Sequence, residues 1–285
     1  MDSPIISKLK KLMEAVKFEH TIFSLPFILI GMVVGAGGWF GWRLLFLGIL
    51  AGVSARTFAM MVNRLMDREF DRLNPRTANR PTATGEVSIL EMWGVIIVSG
   101  LLFILSAYLT NRLAFLLSFP ILAVLAGYSY MKRVTPFAHL VLGVALGLAP
   151  IAGAIAVTGQ IPCWSIFLGV GVAFWVAGFD LLYSIQDIQF DREAGLFSIP
   201  AVVGAEGALL FSRLFHTLAV LFWALFTAYA HLGVWGWVAV IGSALLLFWE
   251  QKLVASDYRN IPKAFFDLNG LLGIFYLIAV ILNYL

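Results

Sequence analysis

Residues 42–71 read WRLLFLGILAGVSARTFAMMVNRLMDREFD, a long apolar run that closes on an amide and two carboxylates. As a helix, residues 42–62 are long enough to cross about 30 Å of hydrocarbon. Asn63, Asp67 and Asp71 then recur every four residues, so a continuing helix presents them on one face. Like charges at that spacing repel, and a bound cation is the simplest compensation.

Working outward, apolar segments of similar length lie near 20–37, 88–109, 113–130, 138–157, 164–185, 203–229, 233–250 and 265–284. With 42–62 they predict nine crossings, an all-α membrane bundle. The composition agrees: 61% of the 285 residues are hydrophobic and 12% are charged, too little polar surface to clothe a globule in water. Strand alternation is absent, and no separate soluble domain is visible, so residues 1–285 read as one transmembrane domain. A signal peptide is not expected at the N-terminus, and the single Cys163 excludes an internal disulfide.

The formal charge of +3 matters less than its placement. In a nine-helix alternation one side receives the N-terminal lysines, Arg64 to Arg80, Lys132 and Arg133, Arg192, and Lys252 to Lys263. The other keeps little beyond Arg43 and Arg112. The positive-inside rule then predicts a cytoplasmic N-terminus and an outer C-terminus in a cell membrane.

A second acidic pair, Asp187 and Asp191, repeats the four-residue spacing on the same predicted side, with Asp180 a heptad earlier and inside the apolar segment. An intramembrane carboxylate marks a functional site or a tight partner. Hard oxygen donors in two such pairs suit Mg²⁺, which shares one or two carboxylates with substrate phosphates, so a diphosphate held between the motifs is the expected ligand. Arg68, Arg72, Arg80, Lys132 and Arg133 supply cations for the phosphate oxygens. Arg56, in an otherwise apolar helix, is the candidate partner for a carboxylated acceptor. Tyr130, Tyr183, Phe179 and Trp175 are candidates for ring packing. The four histidines have no ligand spacing, and only His20 lies near the expected site.

These motifs resemble the UbiA superfamily of intramembrane prenyltransferases, whose signatures are N-x-x-x-D-x-x-x-D and D-x-x-x-D. The resemblance runs from Phe18-Glu19-His20 to the last helix. It is nearest to the 4-hydroxybenzoate polyprenyltransferase group, through Asn74-Pro75-Arg76-Thr77-Ala78-Asn79-Arg80-Pro81, Tyr130-Met131-Lys132-Arg133-Val134-Thr135 and Tyr183-Ser184-Ile185-Gln186-Asp187. It implies nine helices around a central cavity and Mg²⁺-dependent transfer of a prenyl chain from an isoprenyl diphosphate to an aromatic acid, as in ubiquinone synthesis.

The resemblance assigns metal and diphosphate binding to Asn63, Asp67, Asp71, Asp187 and Asp191, a diphosphate contact to Lys132, and the acceptor to Arg56 and Asn63. Arg64 departs from it, since many relatives carry Asp there. The opening from Lys17 to Pro26 also resembles relatives assigned to the futalosine route to menaquinone. That route, a lipid-ether prenyltransferase and, outside enzymes, a membrane transporter remain the alternatives. The bilayer is the expected environment, and a nucleic-acid partner is not expected.

Overall fold

Long apolar segments in series leave the backbone one solution, helices packed side by side. The structure, a computed structural model, describes residues 4–285, and the side chains of all of these except residues 4, 5 and 18–20. Among the described residues there is no strand. The chain folds into α1 (Pro4–Ala15), α2 (Leu25–Ala36), α3 (Trp42–Met66), α4 (Ile89–Thr110), α5 (Arg112–Gly127), α6 (Ala138–Thr158), α7 (Cys163–Ser184), α8 (Ile199–Tyr229), α9 (Val234–Ser256) and α10 (Asn269–Leu282). Short helical turns join several of them and are named below by residue.

Eight helical segments are long and apolar enough to cross a membrane. The ninth expected crossing, around α2, is a shorter apolar segment, Thr21–Ala36. Its 3₁₀ turn over Phe18–Phe23 gives way to α2 only at Leu25, with Pro26 in the first turn, where its missing N–H costs nothing. Because α2 is packed inside the bundle against α6 and α10, with Phe27 and Ile30 fully buried, it need not match the bilayer thickness itself.

The inner helices approach to backbone contact. A Cβ on Gly31 of α2 would sit 2.1 Å from the Pro150 carbonyl of α6, and one on Gly153 would sit 2.2 Å from that of Ile28. Small residues of this kind replace the hydrophobic driving force that is missing between helices in lipid. Farther round, α6 packs on α7, α7 on α8, α8 on α9 and α9 on α10, while α3, α4 and α5 close the other side.

The connections fall at two ends. One end is knit by Arg43 donating to the Leu109 carbonyl, by Asn111 Nδ2 donating to the Ile155 carbonyl at 2.8 Å, and by the Gly233 N–H meeting Asn283 Oδ1 at 2.7 Å. The other end carries both acidic motifs. There α1 is tied down by Lys8 to Glu91 and Lys11 to Glu86, each at 2.8 Å.

Inside α9 and α10 lies a polar group that hydropathy conceals. Glu250 is 1% exposed, and its Oε1 accepts from Asn269 Nδ2 at 2.8 Å, while Trp175 Nε1 donates to Asn269 Oδ1 at 2.7 Å. This pins Trp175 in the core, so it is not available to line a site.

Candidate active site

Each acidic motif sits where a long helix breaks. At Asp67 the backbone leaves helical geometry (φ −92°, ψ 5°) and restarts over Arg68–Leu73. At Asp187 it does the same (φ −105°, ψ 2°) before Ile188–Glu193. The hydrogen bonds Asp67 N to Asn63 O at 2.9 Å and Asp71 N to Asp67 O at 2.7 Å carry the four-residue spacing across the first break. The expected single face therefore survives the interruption.

The two motifs line one chamber of about 260 Å³, at the same end of the bundle. Its walls carry five carboxylates (Asp67, Asp71, Asp180, Asp187, Asp191) and six basic side chains (Lys17, Arg56, Arg64, Arg76, Arg80, Lys132). The two sets partly neutralise each other, through Arg76 with Asp187 and Arg80 with Asp71, and together they are the kind of donor set a metal–diphosphate complex would use.

The first motif is partly open. Asn63 Nδ2 donates to Asp67 Oδ2 at 2.8 Å, and Arg133 Nη2 lies 3.6 Å from Asp67 Oδ1. Burial pushes the Asp67 carboxyl above the usual range, although Lys132 and Arg133 pull the other way. Asp71 is 6% exposed; Arg80 Nη1 donates to its Oδ1 at 2.7 Å, Arg64 Nη1 stands 3.8 Å from its Oδ2, and that second oxygen has no hydrogen-bond partner. Arg64 turns inward and donates Nε to the Ala15 carbonyl at 3.1 Å.

The second motif is closed. Arg76 grips both oxygens of Asp187, Nε to Oδ1 at 2.8 Å and Nη2 to Oδ2 at 2.5 Å, and Asn74 Nδ2 adds a bond to Oδ1 at 3.0 Å. Although its own burial opposes the charge, this grip holds Arg76 above its ordinary pKa. Asp191, 2% exposed, accepts from Ser198 Oγ at 2.8 Å and stands 4.0 Å from Lys132 Nζ.

The donors of this arrangement are of the kind Mg²⁺ takes. They are hard oxygens, one of them a buried carboxylate oxygen without a hydrogen bond. Among the described residues no three His, Cys, Asp or Glu side chains cluster tightly enough to hold an ion alone. One or two carboxylates per ion, completed by phosphate and water, is the usual magnesium environment, so the residues fit. Asn63, Asp67, Asp71, Asp187 and Asp191 all line the chamber.

Several expected residues go elsewhere. Arg68 Nε donates to the Thr82 carbonyl at 3.2 Å and Arg72 Nε to that of Ala83 at 2.9 Å, so both tether the short helix Pro81–Thr84 and neither lines the chamber. Arg133 sits at the rim, bonded to the Met66 carbonyl and stacked over Phe70 and Tyr130, and Tyr130 is half exposed beneath it. Tyr183 does line the chamber, its hydroxyl oxygen accepting from Arg76 Nη1 at 2.9 Å beside Phe179 and Phe265. The His20 side chain lies outside the described residues.

Four residues were missed. Asn74, Arg76 and, as a partner of the second motif, Ser198 reach the acids across the fold, and the only signal in the sequence was the Asn-Pro-Arg segment. The fourth, His139, is fully buried at the start of α6 with Nδ1 2.7 Å from Asp180 Oδ2, and Asp180 lines the chamber.

From the chamber an apolar cavity of about 150 Å³ continues between α2, α3, α4, α5 and α6. Arg56, Met60, Tyr128, Leu142 and Leu146 line both spaces, so Arg56 stands at the junction.

Comparison with known proteins places this geometry. The sequence profile of the UbiA prenyltransferase family matches residues 24–278. A 4-hydroxybenzoate octaprenyltransferase of Paracidovorax citrulli is 32% identical over 80% of this chain and 77% of its own. One from Albidiferax ferrireducens is 34% identical over 71% and 69%. Among solved structures, a UbiA homologue from Aeropyrum pernix K1 superposes with a TM-score of 0.86 at 35% identity, covering 94% of this chain and 99% of that one. A homologue from Archaeoglobus fulgidus, solved with GPP and Mg²⁺, shares the fold at a TM-score of 0.76 and 23% identity over 95% and 99%.

Proposed function

The chain belongs to the UbiA prenyltransferase family, a prenyltransferase of multi-pass membrane architecture, and on that premise we propose that it transfers a prenyl chain from an isoprenyl diphosphate to an aromatic acid, 4-hydroxybenzoate in the first instance. The observation that carries this reading is two acidic motifs facing one chamber that runs on into an apolar cavity. The chamber suits the charged head of the donor and the cavity suits its tail. The charge asymmetry of the two ends supports a cytoplasmic chamber.

Asp67, Asp71, Asp187 and Asp191, with Asn63, would hold Mg²⁺, which when bound would offset the charge that the diphosphate gains on leaving. Arg76, Arg80 and Lys132 face the same chamber and stabilise that charge directly. Phe179, Tyr183 and Phe265 wall off water from the allylic carbon, whose cation hydrolysis would otherwise consume. Arg56, where chamber meets cavity, orients the acceptor carboxylate so that the ring carbon beside the hydroxyl meets the allylic carbon. The acceptor names of the relatives quoted above support this choice over a glycerol phosphate acceptor.

The test is purified protein in detergent with Mg²⁺, geranyl or longer prenyl diphosphates, and a panel of aromatic acids and glycerol phosphates, following product and released diphosphate. Transfer to an aromatic acid, abolished by EDTA and restored by Mg²⁺, is expected. Folded protein that transfers to no acceptor, or that conducts ions independently of Mg²⁺, removes the reading. Arg56→Ala should raise KM for the carboxylated acceptor by about tenfold to a hundredfold with the KM of the diphosphate little changed.

A further inference from the structure

Between α8 and α9 runs a groove of about 810 Å³ that shares no lining residue with the acidic chamber. Its outer walls are apolar and face outward: Leu221 is 55% exposed and Phe248 68%. Its rim is basic. Arg213 on α8 and Lys252 on α9 both line it, both are exposed, and neither forms an ion pair with a carboxylate among the described residues.

The floor is polar and buried. Ser212 Oγ gives its proton to the Gly178 carbonyl at 2.8 Å, so toward Gln251 it can only accept, and Gln251 Nε2 donates to it at 2.7 Å. A second contact joins Nε2 to His216 Nδ1 at 3.0 Å. The amide is thereby oriented, and Gln251 Oε1, in a side chain lining the groove and 8% exposed as a residue, is left without a partner.

Depth follows from the same contacts. The Ser212 bond levels the rim with Gly178, about 9 Å before α7 ends at Ser184 near the second acidic motif. Two cations lacking counter-charges therefore stand less than two helical turns from the end that carries the acidic motifs, beside an apolar slot. An isolated charge there is costly unless an anion meets it, and the leaflet itself offers anions on lipids.

We infer that this groove binds an anionic phospholipid with a hydroxylated headgroup, of the phosphatidylglycerol type. The phosphodiester lies between Arg213 and Lys252, a headgroup hydroxyl donates to Gln251 Oε1, and an acyl chain runs along Leu221 and Phe248. A soluble phosphate would match the cations and leave the apolar walls unused.

The test uses full-length, delipidated protein in non-ionic detergent, titrated with phosphatidylglycerol, phosphatidate, phosphatidylcholine or glycerol 3-phosphate. Native mass spectrometry counts bound molecules, and the thermal midpoint is followed in parallel. One phosphatidylglycerol per chain, held about tenfold more tightly than phosphatidylcholine and raising the midpoint, is the expected result. Arg213→Gln with Lys252→Gln should remove that preference, and Lys263→Gln with Arg259→Gln on the neighbouring loop should keep it. Where the first pair does not fold, Lys252→Gln alone should give an intermediate loss. Equal retention of the two lipids, or undiminished phosphatidylglycerol on the neutralised protein, overturns the site. Phosphatidate bound as tightly as phosphatidylglycerol overturns the role of Gln251, and glycerol 3-phosphate bound as tightly overturns a lipid as the occupant.

Discussion

The two acidic motifs share a spacing and a position at a helix break, yet the fold wires them in opposite ways. In the first, Asp71 keeps one buried oxygen without a hydrogen bond and Asp67 is a quarter exposed. In the second, both oxygens of Asp187 are taken by Arg76 and Asn74, and Asp191 is held by Ser198. The segment that closes the second motif, residues 74–80, grows directly out of the first, and its Arg80 returns to Asp71. The difference teaches that the motifs are coupled through one loop: the first keeps a carboxylate oxygen without a hydrogen bond, while a cation at the second would have to displace Arg76.

The strongest way to break this comparison is to remove a charge from each side. Asp71→Asn and Asp191→Asn keep shape and burial, and each should lower the transfer rate by about a hundredfold to a thousandfold, measured as kcat with saturating prenyl diphosphate. Loss from one side only would reduce the site to a single working motif and leave the other as structure.

A smaller effect separates the two arginines of the shared loop. Arg76→Gln strands a carboxylate that is almost wholly buried, which should cost about 1–3 kcal/mol of stability without Mg²⁺, read as a lowered thermal midpoint. Adding Mg²⁺ should restore part of that loss in Arg76→Gln. Arg80→Gln leaves Arg64 within reach of Asp71 and should lose less. Equal losses in the two variants, both insensitive to Mg²⁺, would contradict the exchange of arginine for metal at Asp187.

The legible part of this design is whatever repeats locally. Helix positions followed from apolar length, and the acidic faces followed from a four-residue period that hydrogen bonding carries over the break at Asp67. Arg76 and Asp187 lie 111 positions apart, and no local period encodes their contact. Glu250 vanished inside an apolar run because hydropathy averages it away, although Asn269 and Trp175 give it a buried setting. Arg68 and Arg72 were over-read, since a cluster of arginines on the positive side serves topology and loop tethering as readily as phosphate binding.

The smallest predicted effect concerns the deepest acid of the chamber. Asp180 belongs to the helix that leads into the second motif, and His139 Nδ1 fixes its Oδ2 from α6, the neighbouring helix. His139→Asn offers a shorter side chain whose N–H can still reach toward Asp180, whereas His139→Phe fills the space and offers no donor. If His139 only orients Asp180, the Asn variant should retain activity within about threefold and the Phe variant should fall about tenfold, with the wild-type pH profile kept by the Asn variant. A pH profile that changes in both variants alike would make the imidazole itself a proton carrier, and the second motif would then differ from the first in chemistry as well as in wiring.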